Sequence, residues 1–304
     1  MLQTLIPMFG LIACGIAWQL FKPGETQNRF SRKVLTDFVY YLFLPALVLK
    51  VLWQAPLGFD SLRISFIAAS SVIIWITVSR MVYRILRTTR QSSGALILAS
   101  AFPNATYLGL PVLENTLGEW ARSIAIQYDL FACTPLLLTL GILTARAYGE
   151  IKTVGNPVMA LFKVPALWAA IMAIILNITH TAPPVWFRSL LELLASAVVP
   201  LMLVALGLSL ELRSLKWRMI PVLTPVLIIQ LIMMPLLAVL LAHISGLNDR
   251  YLVAVVLEAA MPCMVLGIVI CDQFGLDTAL FASAVTLSTA LSIVTLPLWL
   301  LLLQ

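Results

Sequence analysis

Long apolar stretches poor in charge alternate along this chain with short polar segments that hold most of its charge. The stretches cover residues 2–21, 34–53, 64–78, 91–113 and 123–145, then 157–179, 189–210, 219–244, 251–271 and 278–303. A helix needs about 20 apolar residues to cross hydrocarbon, so the pattern predicts an all-α polytopic membrane protein with ten transmembrane helices, spans 1 to 10. Short loops join them and leave no room for a separate catalytic domain.

Composition agrees with this picture. Of the 304 residues 62% are hydrophobic and 11% charged, against roughly 45–50% and about 25% in soluble domains. The net charge of +6 does not point to nucleic acid, because the basic residues sit between the apolar runs, where they set topology. Loops 1, 3, 5 and 7 carry 14 of the 19: Lys22, Arg29, Arg32 and Lys33; Arg80, Arg84, Arg87 and Arg90; Arg146, Lys152 and Lys163; Arg213, Lys216 and Arg218. Those loops are expected on the cytoplasmic side and both termini on the outer side of the membrane. Residues 2–21 have no charge before them and a basic cluster after, the reverse of a cleavable signal peptide, and read as a first span. Cys14, Cys133, Cys263 and Cys271 form no CxxC pair, so neither a disulfide framework nor a metal site is expected.

With ten spans the two halves, 1–145 and 157–304, have opposite orientation around a central loop at 146–156, which invites a search for an inverted repeat. Asp37 precedes Pro45 by the same interval at which Glu192 precedes Pro200, in spans 2 and 7. Span 4 carries Pro103, Gly109 and Pro111, and span 9 carries Pro262 and Gly267, so helix breakers fall in mid-span at matching places of the two halves. Proline lacks an amide proton and clashes with the carbonyl four residues back. Backbone unwound there must face protein or a water-filled cavity, not lipid. Two readings follow: simple kinks, or half-helices whose N-terminal amides converge on one small volume as an anion site. Every Lys and Arg lies at or near a span end, so a carboxylate would be held by helix ends and polar side chains. Asn104, Thr106 and Tyr107 are placed for that, Asn104 able both to donate and to accept.

Intramembrane acids form a second group: Asp37, Asp129, Glu192 and Glu258. Ionised carboxylates there cost several kcal/mol unless paired, hydrated or protonated. Glu258 lies one helical turn before Pro262 and Asp129 about two turns into span 5, which makes these two the candidates for a coupling ion or proton. Asp37 and Glu192 lie nearer span ends, where headgroup water or a loop arginine could satisfy them. Trp18, Trp53, Trp120, Trp186, Trp217 and Trp299 fall mainly toward the interfaces, as an aromatic belt would.

The strings AFPNATYLGLPVLENTLG in span 4 and EAAMPCMVLGIVICDQFGLDTALFASAVTLSTALSIVTLPLWL in spans 9 and 10 resemble the auxin efflux carrier family, and the organisation of the whole chain is similar to it. The resemblance implies two inverted repeats of five spans, with spans 4 and 9 broken and crossing near the substrate, and a core of spans 3–5 and 8–10 that shifts against a scaffold of spans 1, 2, 6 and 7. It implies export of auxin in plant members, and malonate, malate and similar organic anions in bacterial ones. The short central loop looks like the bacterial type. By position Asn104 matches the family asparagine, Gly109 and Pro111 its GLP, Pro262 the proline of AMP and Glu258 the preceding acid; Cys263 follows that proline. Two departures stand out: Asn104-Ala105-Thr106-Tyr107 where many relatives read NTGF, and Leu266 where many have a second asparagine.

The expected function is secondary transport of a small mono- or dicarboxylate by alternating access, with Na+ or H+ as coupling ion, no cofactor, and the lipid bilayer as setting. A homodimer is compatible with the fold. The rival within transport is a cation/proton antiporter, which shares crossed, broken helices and a lone intramembrane acid. An enzyme is not expected, since GxGD, GxSG and HExxH motifs are absent, and the lack of GxxxxGK removes ATP as direct energy source.

Overall fold

The computed structural model describes residues 2–21, 28–150, 159, 162–210 and 217–303, which fold as helices. Among them the sole β-type pairing is one isolated bridge, between Pro103 and Cys263. Lys22, Lys152, Arg213 and Lys216, together with most of the central loop, lie outside the described residues. Among the described residues six helical stretches are long and apolar enough to cross a bilayer: Phe30–Trp53, Phe59–Ile85, Glu119–Tyr148, Val185–Ser209, Ile220–Ser245 and Thr278–Leu302. Ile6–Phe21 and Pro165–Ile178 are shorter apolar helices. The helices of runs 4 and 9 are interrupted, giving Arg90–Ala101 and Leu110–Leu117 in one, Asp249–Ala259 and Gly267–Phe274 in the other. Several helices overrun the apolar runs, Phe59–Ile85 at both ends and Val185–Ser196 at its start, while Thr89 and Asn248 N-cap the first helices of runs 4 and 9.

Prolines widen several of these helices, although Pro225 and Pro297 sit inside α-helix and a further π-helical turn, Leu137–Gly141, precedes no proline. Four π-helical turns, Val39–Phe43, Ala105–Gly109, Asp129–Cys133 and Ile229–Met233, each end two residues before a proline: Pro45, Pro111, Pro135 and Pro235. Widening the turn relieves the clash of the ring with the preceding turn and leaves a carbonyl without its usual donor. In the last case that carbonyl, Leu231 O, takes a hydrogen bond from Trp299 Nε1 at 2.8 Å. Trp299 is therefore buried within the protein and not part of an interfacial belt.

Packing sorts the helices into two groups. Leu2–Phe21 packs along Val198–Ser209, and Pro165–Ile178 along Leu44–Trp53, with Val185–Ser196 also on Leu44–Trp53. The second group holds Phe59–Ile85, the pieces of runs 4 and 5, Ile220–Ser245, the pieces of run 9, and Thr278–Leu302. The seam between the groups is formed by Ala105–Leu117 and the first half of run 5 against the first group.

Within the first group Gly15 and Gly207 lie face to face. A Cβ on Gly207 would come 2.1 Å from Ile12 O and 2.9 Å from Gly15 Cα, whereas a Cβ on Gly10 would meet nothing within 4 Å. Such contact between backbones is how small residues hold helices together where no hydrophobic effect acts between them. Asn177 does a related job at the end of Leu44–Trp53, its Nδ2 donating to Trp53 O at 2.8 Å and Ala55 O at 2.9 Å. Glu192 is held neither by headgroup water alone nor by a loop arginine; Lys50 of the neighbouring helix binds it at 2.8 Å. Gly207→Ala is expected to lower stability by about 1–3 kcal/mol through overpacking, while Gly10→Ala leaves it nearly unchanged. Thermal unfolding of the two variants in detergent tests this, and equal midpoints would contradict the close crossing.

Candidate functional site

Pro103 and Pro262 end helices at Ala101 and near Ala259, and each end leaves carbonyls and amides without helical partners. The two breaks meet and supply one another. Asn104 N donates to Pro262 O at 2.8 Å, and Met264 N donates to Phe102 O at 3.0 Å. Span 10 joins the crossing through Ser288, whose Oγ accepts from Cys263 N at 3.1 Å. Gln230 Nε2, from the π-turn of run 8, donates to Met261 O at 2.9 Å. The breaks thus form a crossing in which each frayed backbone finds partners in another element, and not a pair of isolated kinks.

Past the crossing, Ala105–Gly109 and Leu110–Leu117 run on from Asn104, and Gly267–Phe274 runs on from Leu266. Two helix N-termini, each with its partial positive charge, therefore begin at the crossing. Asn104 stands at the head of the first with only 3% of its surface exposed, makes no side-chain cap bond, and its Nδ2 has no partner among the described residues.

The acids lie on two sides of this point. Glu258 is fully buried and neither carboxyl oxygen has a hydrogen-bond partner among the described residues. It occupies the space a side chain at Gly109 would need, since a Cβ there would come 2.2 Å from Glu258 Oε2. Asp129 is better satisfied: Thr106 Oγ1 donates to one oxygen and Thr134 Oγ1 to the other at 3.1 Å. It also lines a narrow cleft with Leu44, Val48, Thr106, Leu110, Ala125, Ile126 and Leu130, at the seam between the two helix groups. Tyr128 and Cys133 lie within electrostatic reach of both acids.

The structure brings Asn104, Gly109, Pro262, Cys263 and Glu258 to the crossing, and Thr106 with Asp129 to the adjoining cleft. Pro111 is buried one turn on, where its carbonyl accepts from Asn115 Nδ2 at 2.8 Å. Tyr107 is half-buried against the core. Sequence reasoning missed Gln230 and Ser288. A lone amide in the otherwise apolar run 219–244 was the available signal for Gln230; one hydroxyl among several in span 10 gave none for Ser288. No group of three or more His, Cys, Asp or Glu able to hold a metal occurs among the described residues.

Comparison with known proteins places this geometry in context. The model of the membrane transport protein family matches residues 1–300. An "Uncharacterized transporter" of Methanothermobacter thermautotrophicus is 31% identical over 98% of this chain and 96% of its own length. Another "Uncharacterized transporter", from Methanocaldococcus jannaschii, is 26% identical over 88% of each chain. A Rhizobium meliloti protein named "Putative malonate transporter" is 25% identical over 95% of this chain and 92% of its own length. The chain is a member of the membrane transport protein family, the family of the auxin efflux carriers that its span 4 and span 9 strings resemble.

Proposed function

We propose that this membrane transporter is a secondary carrier of small organic anions, mono- or dicarboxylates, working by alternating access across a cytoplasmic membrane. The observation that carries the reading is the crossing itself: two helix N-termini start beside a buried amide donor, and its side-chain hydrogen-bond partners among the described residues, Gln230 and Ser288, are uncharged. Such a site suits a carboxylate, because amide dipoles attract it without forming a permanent ion pair that would hinder release. The name of the Rhizobium meliloti relative points to the same ligand class.

Ten spans in two inverted repeats of five underlie this reading. The exchange of partners supports it, since span 1 packs on span 7 while span 6 packs on span 2, as an inverted repeat would pair them. Spans 3–5 and 8–10 then form the moving core and spans 1, 2, 6 and 7 the scaffold. Thr106 and Asp129 lie at the seam where these would slide, and Glu258 lies inside the core. Asp129 and Glu258 are the coupling groups of this proposal, taking a proton or Na+ in one state and releasing it in the other. The unpartnered oxygens of Glu258 also favour a second reading, a cation/proton antiporter, in which cation addition releases protons with no organic anion present.

Saturable flux of carboxylates in proteoliposomes is expected to fall at least about tenfold in Asn104→Ala, the loss of one charge-assisted hydrogen bond. Unchanged flux would move the site away from the crossing. In Glu258→Gln and Asp129→Asn, uptake is expected to stop following imposed pH or sodium gradients. Full gradient-driven uptake in both variants would remove the coupling role.

A further inference from the structure

The balance of charge at the crossing limits what can pass. Each of the two N-termini offers roughly half an elementary charge, so together they offset about one negative charge. The helices that end at Ala101 and Ala259 bring their negative ends to the same crossing, which lowers that sum further. Two carboxyl groups, Asp129 and Glu258, stand close by within electrostatic reach of each other.

The described hydrogen-bond partners of Asp129 are uncharged hydroxyls, and several cations of the spans are engaged elsewhere. Lys50 is bound to Glu192, Arg122 to Glu114 and Glu119, and Arg63 to Asp60, while Arg250 lies over the ring of Trp120. Arg80 donates to Thr144 Oγ1 at 2.8 Å. The other groups that face Asp129 are acidic or neutral: Tyr40 from span 2, Tyr107 from span 4, Tyr128 and Cys133 from its own helix, and Glu258 from span 9. One unsatisfied donor, Asn104 Nδ2, is available to a single carboxylate.

We infer that the site neutralises at most one negative charge, so that the transported anion crosses singly charged, as a monocarboxylate or as a diacid with one carboxyl protonated. This rests on the transport reading and narrows it, since fully ionised dicarboxylates are excluded. A second charge would have to enter a buried place, at a penalty that multiplies into a large loss of rate.

The test compares matched acids in proteoliposomes holding the full chain: lactate with malonate, butyrate with succinate, and benzoate with phthalate, each corrected for flux into protein-free vesicles. Across the pH range where the diacid loses its second proton, the fully ionised diacid is expected to move at least about tenfold more slowly than its monoacid partner. Its rate should climb, as pH falls, in step with its singly ionised fraction. Asn104→Asp, which adds a negative charge, is expected to stop both acids. Diacid flux that tracks the dianion and equals or exceeds monoacid flux overturns the inference while leaving anion transport standing. Saturable flux of no acid in any pair overturns the transport reading, and this inference with it.

Discussion

A broken helix inside hydrocarbon must find partners for its exposed amides and carbonyls, and here the two breaks find them in each other. Asn104 N to Pro262 O and Met264 N to Phe102 O form a short antiparallel pairing between residues far apart in sequence. Unsatisfied backbone groups in an apolar medium cost several kcal/mol each, so this pairing is what allows both interruptions to exist. Two further groups, Met261 O and Cys263 N, are met by Gln230 and Ser288. Spans 4, 8, 9 and 10 are thereby tied to one point.

That same constraint shapes the chemistry of the proposed site. Once the breaks are pinned together, the helices that leave the crossing must begin there, and their positive ends come with them. Asn104 adds a donor; Gly109, by having no side chain, admits the Glu258 carboxyl against the first of these helices. Charged residues are elsewhere engaged in pairs away from the crossing, Lys50 with Glu192 and Arg122 with Glu114 among them. The centre is left polar but almost free of fixed positive charge, which suits weak, reversible binding of an anion. The cleft at Thr106 and Asp129 lies beside it on the seam between two packed groups of helices.

Much of this was legible in the sequence, for physical reasons. Hydropathy located the helices, and Pro103 and Pro262 located the interruptions, because proline acts on its own backbone and needs no partner to do so. Glu258 and Asp129 stood out since a carboxyl in an apolar run is costly wherever it folds. What depended on a second element was hidden. The crossing, the Lys50–Glu192 pair, the Gly15–Gly207 contact and the Trp299 bond to Leu231 O each join residues from distant parts of the chain, and no local pattern announces the match. The π-turns before Pro45, Pro111, Pro135 and Pro235 fall between these cases: the prolines were visible, but whether a helix kinks, stops or widens is decided by what surrounds it.

The most direct measurement is a disulfide test of the crossing. Residues paired across an antiparallel bridge lie within the range a disulfide spans, so Pro103→Cys is introduced with Cys263 kept and Cys14, Cys133 and Cys271 replaced by alanine. After membrane-permeant oxidation, mass spectrometry of peptides is expected to find residue 103 linked to Cys263 within one chain. Free thiols at both positions in folded protein under the same oxidation would contradict the crossing.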